Sequence, residues 1–165
     1  FGGQCHLDPL IGMTIRDRPA NVITLKLGIN VHGGNSLNER TFGPGAIALV
    51  RIIREAQPTT PIGLISPIFC ANRETQDNSA ELSLRKMRNA LRDAHRRMVQ
   101  AGDANVHYFD GVDWFDEDLM ARYAPDGLHP DANGIELMGQ RFAEQIMPRL
   151  LPQVQRNSPT AAKKS

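Results

Sequence analysis

The chain has 165 residues, with 19 basic and 18 acidic side chains and a hydrophobic fraction of 41%. This length and mixture predict one globular domain with a buried core. The charges nearly cancel and form no basic stripe interleaved with aromatic residues, which argues against a nucleic-acid partner. No apolar run approaches the roughly 18 residues of a membrane-spanning helix. Cys5 and Cys70 make no disulfide framework, so two free thiols are the simpler interpretation, although pairing stays open.

Three short apolar segments predict β-strands, at residues 21–30, 61–69 and 105–109. The first ends in a glycine loop, and Pro61 and Pro67 bound the second. The first two are apolar runs without strict alternation, as is typical of strands that are covered on both faces in a parallel sheet.

Helices are predicted between and after these strands. The first begins at Gly43–Pro44, and the second runs from Ser79 as N-cap to Gly102 as the terminating glycine. The last takes Pro130 as its first helical residue and carries apolar residues at helical spacing up to Leu150.

Strands that alternate with helices predict an α/β fold with a parallel sheet covered on both faces. The domain is expected over residues 1–152, and a flexible tail without apolar periodicity over 153–165. Three strands are few for such a fold, which usually has about five or six, so N-terminal strands are predicted to be missing from this chain. An upstream segment or a second chain is expected to complete the sheet, and assembly into a homo-oligomer stays open.

Polar residues follow the predicted strands, where ligand sites form in open α/β sheets. Asn30 follows the first strand, with His32 close behind it, and Ser66 ends the second. Trp114 lies in the region after the third strand. We expect His32, Ser66 and Trp114 to line a substrate pocket; for Trp114 the alternative is a tucked-in anchor.

The segment DGLHPDANG, residues 126–134, places an acid and a histidine before a proline. Pro130 disfavours helical backbone at His129, so we expect the imidazole to project into the crevice. Asp126 is close enough to accept the proton of one ring nitrogen and leave the other as a base. A purely structural role, in which both residues cap a helix and a turn, is equally compatible with so short a pattern.

Together these segments resemble the SGNH hydrolases, also called the GDSL esterase/lipase family. That family has, in chain order, a G-D-S block with the serine nucleophile, an oxyanion glycine, a G-x-N block and a D-x-x-H-P block. Gly3 matches the glycine, residues 28–30 match G-x-N, and residues 126–130 match the last block. Val31 stands where many members have Asp, and the resemblance spans residues 1 to about 150.

The resemblance implies a flavodoxin-like three-layer α/β/α fold and a serine esterase acting on small or carbohydrate acyl esters. It implies Asp126 and His129 as catalytic residues, Gly3 and Asn30 as oxyanion-hole donors, and no metal or other cofactor. No G-D-S block precedes Gly3 in this sequence, so the nucleophile is expected on the missing segment.

Two other functions stay open at this point. One is a non-catalytic binding module on the same scaffold. The other is a metal-dependent hydrolase that uses Asp126, His129 and Asp131 as ligands.

Overall fold

A parallel sheet of three strands forms the centre of the computed structural model, which describes residues 5–151. The strand order is β1-β2-β3, with Leu25 opposite Leu64 and Leu64 opposite Tyr108. The predicted α/β class and the parallel sheet are therefore confirmed. The strands are shorter than the apolar runs suggested: β1 is Ile23–Lys26, β2 is Ile62–Ile65 and β3 is Val106–Phe109.

Helices connect and cover the strands. Several are short and were not predicted, because four to eight residues carry too little periodicity to be recognised. In chain order the helices are α1 (Pro9–Arg16), α2 (Ile29–Gly34), α3 (Glu39–Arg54), α4 (Ala71–Glu74), α5 (Leu84–Gln100), α6 (Gly111–Trp114), α7 (Glu117–Tyr123), α8 (Ala132–Arg141), a π-helical turn (Phe142–Ile146) and α9 (Met147–Leu150).

Helix α3 begins before the predicted Gly43–Pro44 start. Asn38 and Thr41 form a capping box, in which the Asn38 side chain accepts from the Thr41 N–H and Thr41 accepts from the Asn38 N–H. This reciprocal cap fixes the helix start, and Pro44 lies inside the helix.

Helix α5 begins later than predicted. Ser83, not Ser79, is its N-cap and accepts from the Lys86 N–H. The Asn78 carboxamide accepts from the N–H groups of Ala80 and Leu82, which holds the preceding residues in a turn instead of a helix. The predicted end is confirmed, because Gly102 follows the helix with a φ of +95°.

Helix α8 begins after Pro130. Asp131 is the N-cap, and its carboxylate accepts from the Gly134 N–H at 2.8 Å. A carboxylate satisfies an unpaired helical N–H, whereas proline only supplies a suitable φ. The prediction of Pro130 as the first helical residue is thus wrong by two positions.

Two apolar clusters cover the two faces of the sheet. The first joins α3 and α5 to alternate strand residues such as Leu25 and Leu64. The second joins Ile65 and Phe109 to α6 and the chain from Met138 to Leu150. The strands β2 and β3 are therefore covered by packed layers on both faces.

Strand β1 lies at one edge of the sheet, and among the described strands it pairs only with β2. Ile23 and Leu25 are buried, whereas Thr24 and Lys26 on the opposite face are exposed. An edge strand presents unpaired backbone groups that a further strand can bind. Within residues 5–151, no helix is long and apolar enough to cross a bilayer.

Candidate active site

Asp126 and His129 form a hydrogen-bonded pair in the turn between α7 and α8. One carboxylate oxygen, Oδ1, accepts from the backbone N–H groups of Leu128 and His129, at 2.8 and 2.7 Å. The other, Oδ2, lies 2.7 Å from His129 Nδ1. Both oxygens are therefore engaged by the same turn, and Gly127, with a φ of +70°, permits its tight geometry.

These contacts set the charge and the tautomer of the pair. The hydrogen bonds from the His129 backbone, the His129 ring and the Leu128 backbone lower the pKa of Asp126 to about 2. The carboxylate is therefore ionised at neutral pH and favours the proton on Nδ1. The His129 side chain is 78% exposed, and no described residue hydrogen-bonds to Nε2, so that nitrogen is available as a base.

Asn30 lies in the first turn of α2, directly beyond the carboxyl end of β1. The N-cap, Gly28, has a φ of +126°, and a Cβ there would lie 2.6 Å from Pro67 Cγ. Only glycine fits such a close approach with this backbone. The Cys5 N–H donates to Asn30 Oδ1 at 3.3 Å, which identifies the opposite side of the amide as its donor side.

One cleft of about 790 Å³ brings the two motifs together: both Asn30 and His129 line it. Its wall also includes residues of β1 and the segment after β2. Asp126 lies behind His129 and holds the imidazole. An amide donor and an oriented imidazole that face one cleft are the groups that acyl transfer needs around a carbonyl.

A sequence model of the GDSL-like lipase/acylhydrolase family matches residues 3–137 of this chain. The chain belongs to this family. No curated protein gives a significant match.

Solved structures with the same fold include enzymes that act on acyl groups. One is the salicylyl-acyltransferase SsfX3 from a tetracycline biosynthetic pathway, with a TM-score of 0.77, 28% identity, and coverage of 87% of this chain and 42% of that one. A peptidoglycan O-acetylesterase has a TM-score of 0.64, 16% identity, and coverage of 86% of this chain and 41% of that one. A Clostridium thermocellum family 3 carbohydrate esterase has a TM-score of 0.60, 14% identity, and coverage of 87% and 66%. The chain thus spans about two fifths of the first two structures.

Ser66 does not line the cleft of this family member, contrary to the sequence prediction. Its side chain is fully buried. The hydroxyl oxygen accepts from the Gly111 N–H at 2.9 Å and from the Tyr108 hydroxyl at 3.1 Å, and it lies 3.4 Å from Asp110 Oδ1. These contacts engage the hydroxyl and connect the end of β2 to the end of β3. The role of Ser66 is therefore structural.

Trp114 is also outside the cleft. It is 9% exposed and packs in the second apolar cluster, where its indole N–H donates to the Met138 carbonyl at 3.1 Å. Phe115 beside it is fully buried. The prediction that Trp114 lines the pocket is therefore replaced by its alternative, an anchor that is tucked into the core.

His32 lies next to the cleft-lining Gly33, yet its ring does not line the cleft. Its Nε2 lies 3.4 Å from the Gln76 carbonyl oxygen, and partial burial lowers the pKa of the imidazole. The remaining predicted site residue, Gly3, lies outside the described residues.

Sequence reasoning missed Arg73, which lines the cleft beside Cys70. The available signal was its position shortly after the carboxyl end of β2, where ligand-binding residues collect. Cys5 and Cys70 are both free thiols. No group of three or more His, Cys, Asp or Glu side chains within residues 5–151 has a geometry that would hold a metal ion.

Proposed function

We propose that the protein containing this chain is a serine esterase, with His129 as the general base and Asp126 as its orienting partner. The observation that carries the proposal is the cleft shared by His129 and Asn30. In the reaction, His129 Nε2 takes the proton of a serine nucleophile as the hydroxyl attacks the ester carbonyl. It then returns the proton to the departing alcohol.

Negative charge develops on the carbonyl oxygen during this attack. We assign the Asn30 amide and the backbone N–H of Gly3 to its stabilisation. A donor fixed in advance at this position is effective because it needs no reorganisation when the charge appears. The Cys5–Asn30 hydrogen bond supports the assignment, since it turns the amide N–H₂ away from the Cys5 side. Asp126 remains ionised and stabilises the imidazolium that forms between the two proton transfers.

The nucleophile is proposed to lie on a segment outside these 165 residues. The support is structural: the edge of β1 that no described strand covers borders the cleft, and Thr24, Leu25 and Lys26 all contribute to the cleft wall. A further parallel strand on this edge would end at the same side of the sheet as Asn30. Its carboxyl end would bring a serine towards His129. An upstream segment of the same protein or a second chain would satisfy this geometry.

The proposed substrates are small or carbohydrate acyl esters. The names of two structures with this fold, a peptidoglycan O-acetylesterase and a carbohydrate esterase, support this class. Transfer of the acyl group to an acceptor other than water is the alternative outcome of the same chemistry, and the salicylyl-acyltransferase supports it.

Replacement of His129 in the full-length protein tests the proposal. We expect His129→Ala to lower kcat for p-nitrophenyl acetate by at least about 100-fold, since a positioned general base contributes roughly 10²- to 10⁴-fold. His107→Ala is the matched control, because His107 is a partly exposed histidine of β3 that does not line the cleft.

Three results would contradict the proposal. Unchanged turnover by His129→Ala would show that His129 is not the general base. Loss of turnover with EDTA, restored by a divalent metal, would instead favour the metal-dependent hydrolase. A full-length protein that turns over no ester would favour the binding module.

A further inference from the structure

Arg73 is a half-buried cation that faces the same cleft as Asn30 and His129. Within residues 5–151, no side chain or carbonyl accepts a hydrogen bond from its guanidinium. The nearest carboxylates in sequence are engaged elsewhere: Glu74 pairs with Arg88, and Asp77 pairs with Lys86. Among the described residues, no carboxylate therefore lies within salt-bridge distance of this guanidinium.

The position of Arg73 relates it to the proposed oxyanion hole. Arg73 Nη1 lies 3.6 Å from the point that a Cβ would occupy at Gly33. Gly33 follows Asn30 by one helical turn on α2, so the two residues face the same way. The absence of a side chain at Gly33 leaves room for a group between the Asn30 amide and the guanidinium.

A second contact relates Arg73 to the catalytic turn. Cys70, the N-cap of α4, donates its thiol hydrogen to the Gly127 carbonyl at 3.3 Å. Helix α4 is therefore attached to the turn that carries Asp126 and His129. Arg73 thus lies on a short helix that contacts the turn of Asp126 and His129 through Cys70 and approaches α2 at Gly33.

The charge of the cleft is also one-sided. Lys26 and Arg73 line it, and none of its lining residues in the described part of the chain is Asp or Glu. The whole chain is nearly neutral, at +1, so the overall charge does not account for two cations at one cleft. The ionised Asp126 carboxylate lies behind His129 and is not among the lining residues. Guanidinium groups bind carboxylates through two parallel hydrogen bonds, and concave surroundings strengthen the attraction.

We propose that Arg73 is a specificity-determining residue that binds a carboxylate on the acyl part of the substrate. The proposal rests on the esterase function proposed above and narrows its substrate class to half-esters of dicarboxylic acids. The ester carbonyl lies at Asn30, and the carboxylate lies at the Arg73 guanidinium, next to Gly33.

Matched pairs of esters test the proposal in the full-length protein. The monomethyl esters of succinate, glutarate and adipate carry a carboxylate, and the corresponding dimethyl esters do not. We expect at least one monomethyl ester to have a higher kcat/KM than its dimethyl ester. Arg73→Gln should lower that kcat/KM about 10- to 100-fold, mainly through KM, because a charge-assisted hydrogen-bonded pair is lost.

The controls separate binding from folding. Arg73→Gln should leave the dimethyl esters unaffected, and Arg73→Lys should retain part of the preference because it keeps the charge but not the planar fork. Arg85→Gln, which removes an exposed cation of α5 outside the cleft, should change neither class. Equal losses on both ester classes, or no preference in the wild type, would overturn the proposal.

A binding measurement distinguishes this proposal from the esterase proposal. Calorimetric titration of the full-length protein with glutarate should show binding that Arg73→Gln weakens about 10-fold or more. Arg73-dependent binding without ester turnover would leave the carboxylate site intact and remove the esterase. Turnover of neutral esters without Arg73-dependent binding of glutarate would support the esterase and overturn the carboxylate site.

Discussion

Two polar clusters at the carboxyl ends of the strands use similar side chains in opposite ways. The Asp126–His129 pair is open to solvent, with side-chain exposures of 55% and 78%. The cluster of Ser66, Arg88 and Asp110 is closed: Ser66 is fully buried, and Arg88 and Asp110 are 7% and 11% exposed. The comparison shows that burial and satisfied hydrogen bonds, more than residue type, decide which group remains available to a substrate.

In the buried cluster, every group is used by another part of the fold. Arg88 donates to the Pro67 carbonyl at 3.2 Å and pairs with Glu74, and its Nε lies 3.9 Å from Asp110. Burial raises the pKa of Tyr108 to about 12, so its hydroxyl stays protonated and donates to Ser66. The exposed pair differs because only Asp126 is fully satisfied, whereas His129 Nε2 has no hydrogen-bond partner among the described residues.

Replacement of Asp126 should have the largest effect. We expect Asp126→Asn to lower kcat for ester hydrolysis by roughly 10²- to 10⁴-fold. The amide N–H₂ would donate to Nδ1 and place the imidazole proton on Nε2, where a base must be unprotonated. Thermal unfolding should change little, because the Asn oxygen still accepts the two backbone N–H groups of the turn.

The control for this change is Asp131→Asn in the same segment. Asparagine caps helices as well as aspartate does, so both kcat and the unfolding temperature should be preserved. A full loss of activity in Asp131→Asn would indicate a ligand role for Asp131 and would weaken the distinction between the exposed pair and its surroundings.

Replacement of Arg88 should have the largest effect on stability. Arg88→Met would leave the buried carboxylates of Glu74 and Asp110 without this partner, and loss of one member of a buried ion pair typically costs about 3–5 kcal/mol. Urea denaturation followed by circular dichroism measures the change in the free energy of unfolding.

Arg92→Met is its matched control, because Arg92 also pairs with Asp110 but is 53% exposed. An exposed ion pair contributes about 0–1 kcal/mol, so the two variants should differ clearly. Equal destabilisation by both would show that burial does not separate these arginines.

Replacement of Ser66 should have a smaller effect, confined to stability. Ser66→Ala would leave the buried Gly111 N–H without an acceptor, which costs about 1–3 kcal/mol in the free energy of unfolding. Ester turnover at a temperature well below unfolding should be preserved. Labelling by diisopropyl fluorophosphate should also persist in this variant, and peptide mass mapping should place the label outside residues 1–165. A label on Ser66 in the wild type would contradict the assignment of this residue to the fold.

Much of the fold could be predicted because long patterns report it. The apolar runs predict all three strands, and the helical spacing in α3, α5 and α8 predicts the longest helices. Their starts were missed where a local side chain decided the cap: Asn38, Ser83 and Asp131 each accept a backbone N–H that periodicity does not reveal.

The residues of the candidate site likewise fall into those that local sequence predicts and those that tertiary packing decides. Asp126 and His129 are close in sequence, and the turn that contains them follows from local chemistry. Ser66 and Trp114 were misplaced because strand pleat and helix packing decide whether a side chain faces the core or the cleft. Arg73 was missed because its position in the cleft depends on residues of α2 and of the 126–129 turn, which are distant in sequence.

The sequence by itself determined the α/β class, the parallel sheet, the family motifs and the hydrogen-bonded Asp126–His129 turn, because each depends on neighbouring residues or on a repeating pattern. Only the tertiary structure decided that Asn30 and His129 share one cleft, that Ser66 is enclosed and that Arg73 pairs with no carboxylate among residues 5–151. These properties depend on which distant segments exclude water from a group and which leave it exposed.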